Sequence, residues 1–291
     1  MKILVTIPHF HNPSGNGAYG STSSNSALRA EALSRTIAGL HQSLGPRQAF
    51  LYCLHEQIPG RGNGRLVKVN SRAPEHIDIA VCTVDDSHLV DQLSIPRGWF
   101  HHQRVKADPM MIGFACQLVL KAHIGKYDFY CYLEDDLVVA DPLFLEKISW
   151  FTRTFGDEVL LQPHRFELSE TEPVHKLYID GPVRPDFTAE WQDVSDRRTL
   201  EADFLGEKIS FERWTNPHSG CFFLNAAQME KWAASPGFGD GDCSFAGPLE
   251  SAASLGIMKN FRIHKPAFAN AGFLELRHQH NRYLGVALRT S

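Results

Sequence analysis

Short apolar runs alternate with segments of helical spacing through the first half of the chain. This rhythm limits the available folds more than any other feature of the sequence. Residues 2–8 form a strand candidate that ends at Pro8. A loop rich in Gly, Ser and Asn follows from His9 to Asn25. Leu33, Ile37, Leu40 and Leu44 then recur at helical spacing and predict an amphipathic helix over 26–44, stopped by Gly45-Pro46. Residues 49–54 and 77–84 read as further strands. Asp108 is a candidate N-cap, Pro109 suits the first helical position and Gly125 the stop. Residues 127–133 return to a strand, Asp141-Pro142 opens a helix that Gly156 closes, and 159–162 is a short strand. Such a succession specifies an α/β fold with a mainly parallel sheet and helices on its faces.

The rhythm breaks after about residue 168. Residues 169–210 are polar, acidic and turn-rich, and are expected to be irregular. Residues 221–224 read as a strand, and Asn225 with Gln228 has the spacing of a capping box. Gly247-Pro248 opens a helix that Gly256 is expected to end, and 260–276 holds strand segments. The 291 residues fit a single α/β domain, with halves at 1–140 and 141–291. A net charge of −4 with no basic run argues against a dedicated nucleic-acid binder. No window reaches the roughly 18 consecutive apolar residues of a membrane-spanning helix, so a cytoplasmic location is expected. No two of the six cysteines form a C-x-x-C pair, and Cys53, Cys82, Cys131 and Cys221 sit in strand-like runs as small buried hydrophobes.

One stretch carries most of the chemistry. The strand Tyr130-Cys-Tyr-Leu133 runs straight into Glu134-Asp135-Asp136, and Leu137-Val-Val139 follows. Ligands of open α/β sheets gather at the carboxyl ends of strands. Three adjacent acids there repel one another, and a hard divalent cation such as Mg²⁺ or Mn²⁺ relieves the cost.

The run from Leu133 to Phe144, LEDDLVVADPLF, resembles the metal motif of GT-A glycosyltransferases. Locally it is most similar to the N-acetylglucosaminyltransferase I type, with its E-D-D-L-x-V-A-x-x-F. The close similarity covers about a dozen residues; the rest matches in element order. The resemblance implies a GT-A-like fold and transfer of a sugar from a nucleoside diphosphate, most readily a UDP-sugar, to an acceptor hydroxyl. It implies that Asp136 ligates Mn²⁺ or Mg²⁺, that Asp135 contacts ribose, and that Glu134 supports the turn or the donor sugar. Donor contacts follow by element order at Pro8 and His9 after the first strand, at Glu56 after the second, and at Asp86 (with Asp85) after the third. Arg29 is placed to reach the diphosphate.

An inverting transferase also needs a general base opposite the leaving group. By the same resemblance this is Glu250, in the first turn of the Pro248 helix, with Asp242 of the Gly239-Asp-Gly-Asp loop as the second candidate. Acids are favoured at helix starts in any case; if Glu250 is only that, a retaining reaction follows. His218, Ser219 and Gly220 precede a strand where such enzymes border the donor sugar and acceptor, and Trp214, with Trp191, is assigned to the acceptor side. By the same resemblance a late histidine serves as an additional metal ligand or as a diphosphate contact. His278 and His280 are both candidates, since an extended strand points them to one face. Three other readings stand beside this one. A sugar nucleotidyltransferase needs a basic glycine-rich loop that Pro8-His9-Phe10-His11 lacks. A two-metal phosphohydrolase needs a second acid–histidine cluster, and a non-catalytic carbohydrate-binding protein leaves Glu250 without a task.

Overall fold

The computed structural model describes residues 1–13, 25–53, 64–70, 73–170, 174–279 and 281–285. The first elements are β1 (Lys2–Pro8), α1 (Ser26–Leu44), β2 (Phe50–Cys53), β3 (Arg65–Lys68), β4 (His76–Thr83), β5 (His101–Arg104) and α2 (Ile112–Lys121). Then come β6 (Phe129–Leu133), β7 (Leu137–Val138), α3 (Phe144–Phe155), β8 (Val159–Leu161), β9 (His164–Leu168) and β10 (Lys176–Tyr178). The chain continues through β11 (Thr199–Phe204), β12 (Glu207–Glu212), β13 (Cys221–Asn225), α4 (Ala226–Ala233), α5 (Pro248–Asn260), β14 (Arg262–Pro266) and β15 (Glu275–His278).

The central sheet has the order β13-β6-β1-β4-β5. Its β6-β1-β4-β5 portion is parallel, and β13 runs antiparallel to β6. The expected α/β class, with a mainly parallel mixed sheet flanked by helices, is what the structure has. Burial on both faces explains the near-continuous apolar strands. Ile3, Val5 and Ile7 of β1 pack with Leu33, Ile37 and Leu40 of α1 and with Phe144, Ile148 and Phe151 of α3. Leu4 faces the opposite layer, where Ile112, Cys116 and Leu120 of α2 meet Trp232 of α4 and Leu255 of α5. All six cysteines are free thiols, and Cys53 is only half-buried.

Two smaller sheets extend the site end: β10-β9-β15-β7 and β11-β12-β14-β8. The strands read at 49–54 and 159–162 therefore lie outside the central sheet, one in a hairpin with β3 and one beside β14. Residues 169–210, expected to be irregular, hold β10 and the antiparallel pair β11–β12 opens in the same stretch. Local signals fared better. Asn25 caps α1 by accepting the Leu28 N–H, Gly156 closes α3 at φ 93°, and Asn225 and Gln228 form the capping box. Asp108 caps a short 3-10 turn at Pro109–Met111 that leads into α2. No helix among the described residues is long and apolar enough to cross a membrane.

Gly256 does not end its helix; α5 runs on to Asn260. Its missing side chain lets α5 lie against Trp232, and a Cβ there would come within 2.7 Å of the indole Cζ2. Trp232 is 1% exposed and wedged between Phe222 and Phe238, so it cannot yield. Gly256→Ala should therefore lower stability by about 1–3 kcal/mol, although alanine is the better helix former by about 1 kcal/mol. Urea unfolding followed by circular dichroism checks this; an equally stable variant would show that the contact has slack.

Candidate active site

The acidic turn is clamped at every residue. β6 ends at Leu133, and the next amide, Glu134 N–H, donates to Gly220 O at 3.0 Å. Thr36 Oγ1 of α1 donates to Asp135 O at 3.1 Å, and Gln279 N–H donates to Asp136 O at 3.0 Å. Beyond the turn, β7 pairs with β15, which sets His278 opposite Leu137.

The side chains are fixed as tightly. Arg29 reaches in from α1, with Nη2 at 2.5 Å from Asp135 Oδ1 and Nη1 at 3.2 Å from Asp136 Oδ2. His9 accepts the Leu89 N–H at Nε2, so its ring proton sits on Nδ1 and is donated to Asp135 Oδ2 at 2.6 Å. Burial alone would raise the Asp135 carboxyl; the Arg29 charge and the His9 hydrogen bond outweigh it and hold it down at about 2. The repulsion expected among the three acids is thus relieved by two buried arginines before any metal is considered, because Arg165 lies 3.5 Å from Glu134.

Glu134 behaves differently from its neighbours. Burial pushes its carboxyl up to about 8, Arg165 opposes this, and the charges of Asp136 and Glu250 add to it. Behind it stands a buried charge network. Asp180 grips Arg165 through Nε and Nη2 and lies 3.7 Å from the fully buried Lys265 ammonium. Lys265 Nζ donates to His218 O at 2.6 Å, and burial depresses it to about 8 against the pull of Asp180. Gly220, at φ 62°, completes the fit, since a Cβ there would collide with the Glu134 carboxylate.

On the far side of Asp136, His278 Nε2 stands 3.9 Å from Asp136 Oδ2. Glu167 of β9, fully buried, accepts from His278 Nδ1 at 2.9 Å and from the backbone N–H groups of Tyr283 and Leu284. This carboxylate–histidine pairing is the arrangement that orients imidazoles toward metals. The same Asp136 oxygen also accepts from Arg29 at 3.2 Å; Asp136 and His278 are close enough to share a divalent ion after a small adjustment of this corner. Among the described residues no group of three His, Cys, Asp or Glu closes a site; further ligands would come from substrate and water.

A cleft of about 390 Å³ opens over the turn. Pro8, Phe10, Arg29 and Glu134–Asp136 line it together with Ala246–Glu250. Glu250 stands in the first turn of α5. Its loop is held by Ser251, fully buried, whose hydroxyl donates to Phe245 O at 2.8 Å, and Ala246 adopts a left-handed φ of 57°. Such strain in a residue with a side chain clusters at functional sites.

The structure thus brings together Pro8, His9, Arg29, Glu134, Asp135, Asp136, Gly220, Glu250 and His278. His218 is half-buried beside them; its Nδ1 meets Ser254 Oγ at 2.9 Å and its Nε2 lies 4.0 Å from Glu134. Ser219 spends its hydroxyl on Pro163 O. Trp214 is buried against His164 and Phe268 and lies outside the cleft lining. Asp242 also lies outside it, tied to Lys259 at 2.6 Å. Asp86 is exposed and faces Arg104 at 3.3 Å. Glu56 and His280 lie outside the described residues. The sequence reading missed Glu167, Arg165, Asp180 and Lys265, which belong to no motif. It also missed His11, which is 4% exposed, lies near Arg29 and Asp135, and has no hydrogen-bond partner on either ring nitrogen among the described residues.

No family model and no curated protein matches the chain. Solved structures similar to it include TarS of S. aureus, at 10% identity and a TM-score of 0.43, covering 97% of this chain and 37% of that one. Another is glucosyl-3-phosphoglycerate synthase of Mycobacterium tuberculosis, solved with Mg²⁺ and UDP, at 13% identity and a TM-score of 0.39, covering 98% of this chain and 74% of that one. This chain therefore spans little more than a third of TarS.

The depressed Asp135 carboxyl carries a pH signature. Its folded value of about 2 lies below the ordinary 3.8. Its contribution is complete above the unfolded value and is lost as pH falls from about 4 through about 2, a loss of about 2 kcal/mol. Asp180 shifts in the same direction. Unfolding free energies measured across that window should drop with falling pH, and less steeply for Asp135→Asn; equal slopes would remove the ionised Asp135 from the account.

Proposed function

We propose that the protein is a metal-dependent, inverting glycosyltransferase of GT-A type, working as one domain, that transfers a sugar from a UDP-sugar to an acceptor hydroxyl. The reading rests chiefly on one observation: Asp136, 3.9 Å from a carboxylate-oriented His278, lines the same cleft as Glu250. A cation held at Asp136 and a base in the same cleft would suit in-line displacement at a sugar carbon.

The residues divide the work. Asp136 and His278 would hold Mn²⁺ or Mg²⁺; when bound, the ion supplies Lewis-acid stabilisation of charge on the leaving diphosphate. Arg29 lines the cleft beside them and adds a fixed positive charge. Asp135, kept ionised by Arg29 and His9, accepts hydrogen bonds from ribose hydroxyls. Glu134, held beside Arg165, would hydrogen-bond a hydroxyl of the donor sugar. Glu250 removes the acceptor proton as that oxygen attacks the anomeric carbon from the face opposite the diphosphate. The hydroxyl proton passes to Glu250, the glycosidic bond forms, and the bond to the diphosphate breaks with inversion.

Titration calorimetry of UDP with Mn²⁺ and with EDTA tests the donor side. Binding should require the metal and be abolished in Asp136→Ala, and Glu167→Gln should weaken it about 10–100-fold by releasing His278. Glu250→Gln should bind UDP as the wild type does and lose about 10²–10⁴-fold in turnover. UDP binding that ignores both metal and Asp136 would sink the metal assignment, and full turnover in Glu250→Gln would sink the base.

A further inference from the structure

Glu250 has apolar company. In the cleft lining it follows directly on Ala246-Gly247-Pro248-Leu249, and the lining also takes in Pro109, Met110 and Ile112. The short turn Pro109–Met111 packs against α5, the helix that carries Glu250. Gly113 of α2 allows this approach, since a Cβ there would stand 2.5 Å from the Cβ of Ala252, which is buried in α5. None of the lining residues around Glu250 in these two segments carries an amide, hydroxyl or charged side chain. Two of them are open to solvent: Met110 is 60% exposed and Leu249 41%. Large apolar side chains left exposed in the lining of a cleft mark a binding surface.

The groups that would recognise a glycan acceptor stand elsewhere. Trp214 is buried against His164 and Phe268, Trp191 is half-buried against Phe245, and neither lines the cleft. Ser219 is spent on Pro163 O, and His218 is engaged with Ser254. Phe10, the one aromatic ring among the described residues of the lining, follows His9, which is bonded to Asp135 on the side given to the donor. A sugar set against Met110 and Leu249 would leave hydroxyls without partners where water is excluded, which is costly. An anionic acceptor fares no better. Arg29 is the one cation among the described residues of the lining and is already paired with Asp135 and Asp136, while Glu134 and Glu250 add further negative charge to the same space. Resting on the transferase reading above, we propose that the acceptor is a neutral alcohol with an apolar body, whose hydrocarbon lies across Met110 and Leu249 and whose hydroxyl meets Glu250. The hydroxyl proton passes to Glu250, the new C–O bond forms at the anomeric carbon, and the diphosphate leaves with the electron pair of the broken bond.

Ligand-observed NMR titrations of the full chain with butanol, hexanol and octanol (the linear primary alcohols) test this. Affinity should rise about fourfold for each added methylene. Methyl glucoside and glycerol phosphate should bind far more weakly than octanol. Met110→Ser and Leu249→Ser should each weaken octanol about five-fold, with melting temperatures matching the wild type because both side chains are exposed. Leu205, 87% exposed and outside the cleft lining, supplies the control, and Leu205→Ser should change nothing. Affinity that ignores chain length overturns the proposal, as does octanol binding that survives both cleft substitutions or falls equally in Leu205→Ser. Tighter binding of methyl glucoside would assign the cleft to a glycan, and tighter binding of glycerol phosphate to an anionic acceptor; either result overturns it as well. Titration of UDP separates this proposal from the reading it rests on. Chain-length-dependent and Leu249-dependent alcohol binding in a protein that does not bind UDP would support the apolar seat and remove the transferase. UDP binding without alcohol binding would overturn the acceptor class alone.

Discussion

The pairing of Arg29 with Asp135 decides where everything else in the cleft can stand. The two residues are 106 positions apart, and each is only 7% exposed. A buried ion pair of this kind adds little net stability, because desolvation of both charges offsets their attraction; its strength lies in what its loss would leave behind. Either partner alone would be an uncompensated charge in the core, so α1 is bound to the end of β6 in one position. The inner face of α1 agrees with this. Thr36 donates to Asp135 O and Ser43 to Val139 O, so a buried helix face that carries hydroxyls uses them to satisfy the carbonyls of the turn it covers.

From that fixed turn the two smaller sheets take their places. Glu134 N–H continues the β6–β13 pairing one residue further, through Gly220 O, and Gln279 N–H closes on Asp136 O from β15. The Asp180–Arg165 grip and the Lys265–His218 contact stiffen the same corner from below. This network holds two cations and two carboxyls with almost no access to water. Burial raises the carboxyls of both Glu134 and Asp135; at Glu134 it outweighs the opposing charge of Arg165, whereas at Asp135 Arg29 and His9 outweigh it. Adjacent carboxyls separated in this way can accept and donate in the same cleft, a division that a solvated acidic loop could not make.

The strands buried on both faces were legible because burial leaves an apolar record. β1, β4, β6 and β13 are continuous hydrophobic runs, and their ends carry the turn residues that punctuate them. β5 reads His-His-Gln-Arg and is exposed throughout; it joins the sheet by backbone pairing at the edge, which no side-chain pattern reports. β9 mixes His164, Arg165 and Glu167 with Phe166, and its polar residues are buried only because partners from β15 and from residues 180 and 283–284 meet them there. Those partners lie far along the chain, so spacing could not reveal them. Glu250 and the acidic turn were found because each stands beside a local signal, Pro248 in one case and a buried strand in the other. The histidine pair at 278 and 280 shows the limit of periodicity: both share a parity, and tertiary pairing with β7 and Glu167 brings His278 to Asp136.

The two walls of the cleft are built to different standards. The acidic wall is strand end, buried ion pairs and backbone clamps, with each acid held from more than one direction. The Glu250 wall is a loop whose conformation depends on one buried hydroxyl, Ser251, and on a left-handed alanine at 246. Its lip exposes Leu249, and Met110, on the short turn that packs against α5, is exposed as well. A rigid wall suits a group that must be held in one pose, such as a charged nucleotide, while loops tolerate exchange of side chains without loss of the core. Side chains at residues 246–249 and 109–110 can then change without disturbing Arg29, Asp135 or the strands beneath them.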